Sequence, residues 1–218
     1  MSLNSNRKQG KTSDGMVLVI RKKTESSDAE LLKRMLAGDQ EAFTALYRLR
    51  QGAVYRFALQ MTGNVVIAED VTQDVFMELI ENGQRFDPSR GALASFLYGV
   101  ARNMVLRRLE KDRAASTPLG AESEMEDFPC DDDVLGDLTR RETIEQVRRA
   151  VLSLPAVYRE VVVLCDLQDL SYDDAAQALD CPVGTVRSRL NRGRGMLAQK
   201  LGKASSAITV RAAGESVA

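Results

Sequence analysis

The chain contains no histidine and no tryptophan. The first absence removes histidine triads, histidine general bases and most zinc sites. Only 5% of the residues are aromatic, which suits small helical units better than a β-sandwich. Cys130, Cys165 and Cys181 are three and widely spaced. They make no CxxC pair and no disulfide framework, so reduced thiols in a cytoplasmic protein are expected. Long apolar runs are missing as well. The longest near the N-terminus is Met16–Ile20, too short for a signal sequence or a membrane span. No metal, cofactor or catalytic constellation is expected, and the chain reads as a non-enzyme. Net charge is close to zero at −1, so any clue about partners must come from how the charge is distributed.

That distribution is uneven. Residues 114–139 hold Glu122, Glu124, Glu126, Asp127, Asp131, Asp132, Asp133 and Asp137 and no base. They also hold Pro118 and Pro129 and few apolar residues. Such a composition cannot bury enough surface to order itself, and a flexible acidic linker is predicted. Residues 182–203 reverse the pattern, with Arg187, Arg189, Arg192, Arg194, Lys200 and Lys203 and no acid. Between these extremes the periodicity is helical throughout, which predicts an all-α protein of two small helical domains. Residues 1–27 read as a disordered basic tail, 28–113 as the first domain, 140–203 as the second and 204–218 as a disordered C-terminal tail.

In the first domain Asp28 is expected to cap a helix carrying Leu31, Leu32, Met35 and Leu36. Gly38-Asp39 then stops that helix and caps the next. The second helix places Phe43, Leu46, Tyr47, Val54, Phe57, Ala58 and Met61 at helical spacing. Gly63-Asn64 punctuates it, and a third helix follows to about Asn82. On that helix Ala68, Val71, Val75, Phe76 and Leu79 face one way. Asp70, Gln73, Asp74, Met77 and Glu81 share the other face. QRFDPSRG (Gln84–Gly91) is a loop, and a fourth helix carries Leu97, Val100, Ala101 and Met104 on one stripe. In the second domain Ile144, Val147, Val151 and Leu154 form a stripe, and Val157, Val161 and Leu164 point inward from a helix that Pro155 opens. Ser171–Asp174 is a capping box, followed by a short Ala-rich helix, a tight turn and the arginine helix.

At 100° per residue, Val186, Leu190, Leu197 and Leu201 form the buried stripe of that last helix. Ser188, Asn191 and Gly195 lie opposite, with Arg187 and Arg194 on one rim and Arg189 and Arg192 on the other. A small polar centre between arginine rims suits a DNA major groove, where the centre approaches base edges and the rims reach phosphates. A purely solvated face would normally carry acids too. A short capped helix, a tight turn and a basic helix make a helix-turn-helix.

SYDDAAQALDCPVGTVRSRLNRGRGML resembles the promoter-reading helix-turn-helix of the extracytoplasmic-function sigma factors of bacterial RNA polymerase. The run Pro182–Arg194 is its most specific part. The resemblance implies recognition of the minus-thirty-five element by Thr185, Arg187, Ser188, Arg189 and Arg192. Asp180 stands where the family usually has Gly, and Asp tolerates a left-handed backbone better than most residues. AEDVTQDVFMEL (Ala68–Leu79) resembles the family's second conserved region. There the face carrying Asp70, Gln73, Asp74, Met77 and Glu81 binds the clamp helices of the polymerase beta-prime subunit, a role an acidic face suits. SFLYGVARNMVLRRLEKDR (Ser95–Arg113) resembles the promoter-melting helix. Arg102, Asn103, Arg107 and Arg108 would then serve the minus-ten element together with the loop 85–91. Phe86, Phe96 and Tyr98 are the available aromatics, with Phe96 expected in the core. Core RNA polymerase and promoter DNA are the implied partners, and an anti-sigma factor is a common one in the family. No membrane insertion is implied. A one-component transcription factor would need a sensory domain that the pattern lacks. A sigma mimic that only sequesters an anti-sigma factor would not need the arginine helix.

Overall fold

The computed structural model describes residues 28–115 and 136–214, with side chains over 28–111 and 141–202. The expected N-terminal tail and most of the expected linker lie outside the described residues. Those described form helices with no strand among them. A helix over 28–36 is α1. The others are α2 (Gln40–Thr62), α3 (Val65–Asn82), α4 (Leu93–Ala115), α5 (Gly136–Leu152), α6 (Ala156–Val162), α7 (Tyr172–Leu179) and α8 (Val183–Gly214). A 3-10 turn, Gly83–Arg85, follows α3, and a π turn, Val163–Leu167, follows α6. Both α4 and α5 enter the predicted linker. Helix α8 continues through most of the segment expected to be a tail from residue 204.

The boundaries follow from capping chemistry. Asp39 accepts hydrogen bonds from the amides of Glu41 and Ala42 at 2.9 and 3.0 Å, which satisfies donors that the first turn of α2 leaves open. Those bonds, Ala42 first, hold its carboxyl below the usual range, with Arg34 adding to the effect. Gly63 ends α2 at φ 71°, a left-handed conformation that costs glycine little. Asn64 then caps α3 by accepting from the Ile67 amide at 3.0 Å. Asp28 departs from the expected role. It lies within α1, fully buried, and its carboxylate pairs with Arg50 of α2. Burial nevertheless pushes its pKa up.

Helices α2, α3 and α4 bury Leu46, Phe57, Met61, Val71, Val75, Leu79 and Leu97 between them. The second half packs α6 against α8 and α7 against α8 around Leu154, Val161, Leu164, Leu179, Val186 and Leu190. The expected stripes are shifted at three points: Leu36, Ile144 and Val157 are all exposed. In their place Val161, Val162, Val163 and Leu164 are buried consecutively. The π turn accounts for this. The Gln168 amide bonds to the Val163 carbonyl, five residues back, at 2.9 Å, so the 3.6-residue phase is lost where the helix is covered on several sides.

The two halves are docked, and one hydrophobic cluster runs through both. Helix α4 lies on α7, and α5 lies on α2. Gly99 allows the first contact: a side-chain carbon there would sit 3.3 Å from the Ala178 carbonyl oxygen. The Arg159 guanidinium fixes the second by donating to the carbonyls of Met61, Leu152 and Leu154. The Tyr98 hydroxyl donates to Gln168 Oε1 at 3.2 Å, and Gln168 Nε2 donates to Gln60 Oε1 at 2.8 Å.

Candidate nucleic-acid and polymerase interfaces

The helix-turn-helix begins at Ser171, whose hydroxyl oxygen accepts from the Asp174 amide at 3.1 Å and whose O–H donates to the Asp174 carboxylate. Asp180 ends α7 at φ 48°, ψ 51°, in the left-handed region. Its amide and that of Cys181 close the turn back onto Gln177 and Ala176. The Pro182 carbonyl then accepts from Thr185 and Val186, starting α8. Val186, Leu190 and Gly193 point inward. Gly193 has a packing reason, because an added side-chain carbon would meet Val162 Cγ2 at 2.7 Å. Gly195 is exposed with open space around it.

The arginines of α8 meet different fates. Arg187 is exposed, its guanidinium 5.7 Å from the centre of the Tyr172 ring. Arg192 is exposed, with no carboxylate partner among the described residues. Ser188 is exposed, and its hydroxyl donates to the Thr185 carbonyl at 3.0 Å. Thr185 is half-buried. Arg194 pairs with Asp166 of the π turn at 2.5 Å, and that bond raises its pKa. Arg189 turns back to Glu160 of α6 at 3.5 Å. The helix lacks acids of its own, but the fold brings two to it.

On α4, Asn103 and Arg107 are exposed, while Arg102 and Arg108 are half-buried. The Arg102 Nε donates to Glu160 Oε2 at 2.7 Å. Arg108 pairs with Asp74 of α3 at 2.6 Å, joining two residues expected to meet different partners. Phe86 and Phe96 are half-buried and stack edge to face, 5.8 Å between centres. Tyr98 is the one of the three aromatics that is buried, and burial raises its pKa. Asp87 shapes the loop by accepting from the Ser89 hydroxyl and amide at 2.7 and 2.9 Å, which lowers its pKa. Loop and α4 form one wall of a cleft of about 1050 Å³, and the turn between α7 and α8 forms the other. Gln177 of α7 donates across it to the Arg90 carbonyl.

Asp70, Gln73, Asp74, Met77 and Glu81 are all exposed on α3, and Ile80 and Val66 extend that surface with apolar area. Ala68, Val71, Val75, Phe76 and Leu79 are all buried on the opposite side.

Glu160, Asp166 and Gln177 were not singled out from the sequence. One signal for Glu160 was available. It stands in YREVVVL with no base at i±3 or i±4, and a carboxylate at the head of an apolar run needs a partner from elsewhere. Among the described residues no helix is long and apolar enough to cross a membrane.

Residues 46–115 match the family described as sigma-70 region 2, and 144–197 match sigma-70, region 4. The chain is 32% identical over 180 residues to the ECF RNA polymerase sigma factor SigW of Bacillus subtilis, covering 78% of this chain and 94% of that protein. It is 33% identical over 189 residues to the ECF RNA polymerase sigma factor SigM of Mycobacterium tuberculosis, covering 86% and 91%. Among solved structures it is similar to the sigma factor RpoE of Bartonella quintana, in complex with the anti-sigma factor NepR, with a TM-score of 0.61 and 26% identity over 73% of this chain and 96% of that one. The fold is also that of CnrH in complex with the cytosolic domain of CnrY, with a TM-score of 0.62. The chain therefore belongs to the extracytoplasmic-function sigma factors of bacterial RNA polymerase.

Proposed function

We propose a division of labour for this sigma factor, which directs RNA polymerase to promoters and starts transcription there. Residues 28–113 bind core polymerase through Asp70, Gln73, Asp74, Met77 and Glu81. The same domain holds the minus-ten element through Arg102, Asn103, Arg107 and Arg108. Residues 140–203 read the minus-thirty-five element through Thr185, Arg187, Ser188, Arg189 and Arg192. The protein acts in the cytoplasm and is not itself an enzyme, since the polymerase performs the chemistry. The carrying observation is the exposed acidic face of α3, backed by a buried and largely apolar opposite side. Met77 and Ile80 give that face apolar area that suits a protein partner.

The test is transcription by purified core polymerase from a genomic promoter library, with and without this chain. Specific initiation is expected, and it should be lost in Asp70→Ala/Asp74→Ala and in Arg187→Ala/Arg192→Ala. DNA binding without polymerase binding would replace this reading with that of a free-standing transcription factor. Polymerase binding without initiation would point to a mimic.

A further inference from the structure

Tyr172 opens α7 and is 37% exposed, too open to belong to the core. The Ser171 cap fixes the start of this helix, its hydroxyl oxygen accepting from the Asp174 amide at 3.1 Å. The Tyr172 ring lies against the rim of α8 that carries Arg187 and Arg194, two turns apart. The Arg187 guanidinium carbon is 5.7 Å from the ring centre, inside cation–π range. Arg194 is tied to Asp166 through two bonds, at 2.5 and 3.1 Å. The Tyr172 phenol adds to the effect of Asp166 in raising the Arg194 pKa, so it lies beside that guanidinium too. One tyrosine therefore meets both arginines of one rim.

The contacts leave the two arginines in different states. Asp166 supplies lone pairs to Arg194 and neutralises its charge. A ring attracts a cation through its face and supplies no lone pair, so the N–H donors of Arg187 stay available. Arg187 is exposed, and no carboxylate among the described residues pairs with it. A long side chain left to itself loses rotamer freedom when it settles on a phosphate. One held in place beforehand loses less. A single cation–π contact at an exposed site corresponds to about two- to fivefold in binding.

We propose that Tyr172 is a positioning residue for the minus-thirty-five element, its ring holding the Arg187 guanidinium on the rim of α8 where a DNA phosphate meets it. The inference rests on the sigma-factor reading for the DNA role of Arg187. The ring contact itself does not depend on that reading. Tyr172 and Arg187 both belong to the helix-turn-helix, so the contact is local to it.

The test uses the full chain bound to core polymerase and a fluorescent duplex carrying a promoter recovered from the library transcription. The variants are Y172A, Y172F, R187A and the double variant Y172A/R187A, with circular dichroism checking helical content. R187A should weaken binding and lower the logarithmic salt slope by about one. Y172A should weaken binding about two- to fivefold, and the double variant should be no weaker than R187A alone. Y172F should bind as the wild type does, because the ring without its hydroxyl still holds the guanidinium. In the free chain, NMR relaxation of the arginine Nε–H groups should find Arg187 more ordered than Arg192 in the wild type and in Y172F. The two should be equally mobile in Y172A. Unchanged binding by folded Y172A, or losses that multiply in the double variant, would overturn the proposal. So would Y172F as weak as Y172A, or Arg187 as mobile as Arg192 in the wild type. Unchanged binding by R187A removes Arg187 from the DNA and the proposal with it, while initiation by the wild type keeps the sigma reading. Wild-type chain that never initiates defeats the sigma reading instead, and the relaxation data alone then decide whether Tyr172 holds Arg187.

Discussion

Among the arginines of α8, residue type alone does not predict role. Arg192 is exposed, whereas Arg189 is half-buried against a buried carboxylate. Arg192→Ala should leave thermal stability unchanged and weaken promoter binding by polymerase holoenzyme. If its contact is to a phosphate, the logarithmic salt slope falls by about one. Arg189→Ala should cost about 1–3 kcal/mol of stability by leaving Glu160 short of a partner. Equal stability of the two variants in thermal unfolding would refute the distinction. The arginines themselves were legible from the sequence. Their carboxylate partners were not, because Arg194 and Asp166 lie 28 residues apart and no local pattern links them. The cysteines make a second residue-scale case. Burial, with Asp166 adding to it, pushes the Cys165 thiol from 9.0 up to about 11. Cys181 is raised as well, by burial first. Folding therefore favours the protonated thiol. The contribution to stability is full below about pH 9 and fades as pH rises through the folded value. At pH 8 the Cys165 thiolate should be about a hundredfold scarcer than in an unfolded chain. In a Cys130→Ser background, disulfide-exchange reagents should label Cys165 slowly until denaturant is added, and prompt labelling of folded protein would contradict this.

Helix boundaries were the most legible feature of the elements. Gly38-Asp39, Gly63-Asn64 and Ser171–Asp174 act as the stops and caps their side chains suggest, because capping is local chemistry between neighbours in sequence. The inward faces of α5 and α6 were read less well. A regular period predicted Ile144 and Val157 inside, and both are exposed; the π turn after α6 has no local signature in VVVLCDL. Helix α8 runs on through Gly193 and Gly195, and the packing reason for Gly193 comes from a tertiary contact that the sequence does not show. The turn before α8 offers a test at this scale. Asp180 holds a left-handed conformation at φ 48°, which costs a side-chain-bearing residue roughly 1–2 kcal/mol more than glycine, less for Asp. Asp180→Gly should therefore raise the melting temperature by an amount matching up to ~1 kcal/mol, with recognition of the minus-thirty-five element retained. Destabilisation by the glycine would mean that the aspartate makes a contact outweighing its backbone cost.

For the whole molecule, the two helical halves were readable separately, and their docking was not. Docking depends on Gly99 against Ala178, on Gln168 between Tyr98 and Gln60, and on Arg159, each a small or polar residue that looks unremarkable in its own segment. Among the described residues, the acids paired with the arginines of the expected interfaces, Asp74, Glu160 and Asp166, belong to the helical halves themselves. Because one hydrophobic cluster runs through both halves, unfolding of the free chain should be a single cooperative transition, with calorimetric and van't Hoff enthalpies in agreement. Arg159 is the strongest polar tie. It is a planar donor reaching the Met61 carbonyl at the end of α2 and two carbonyls at the end of α5 and just beyond it. A lysine in its place keeps the charge but cannot span three carbonyls with a fixed fork. In Arg159→Lys the halves should uncouple, and calorimetry should resolve two transitions. The one assigned to α2–α4 would then be insensitive to core substitutions in α6 and α8. A single transition that merely shifts to lower temperature would mean that apolar contacts alone couple the halves, leaving Arg159 to stabilise its own corner.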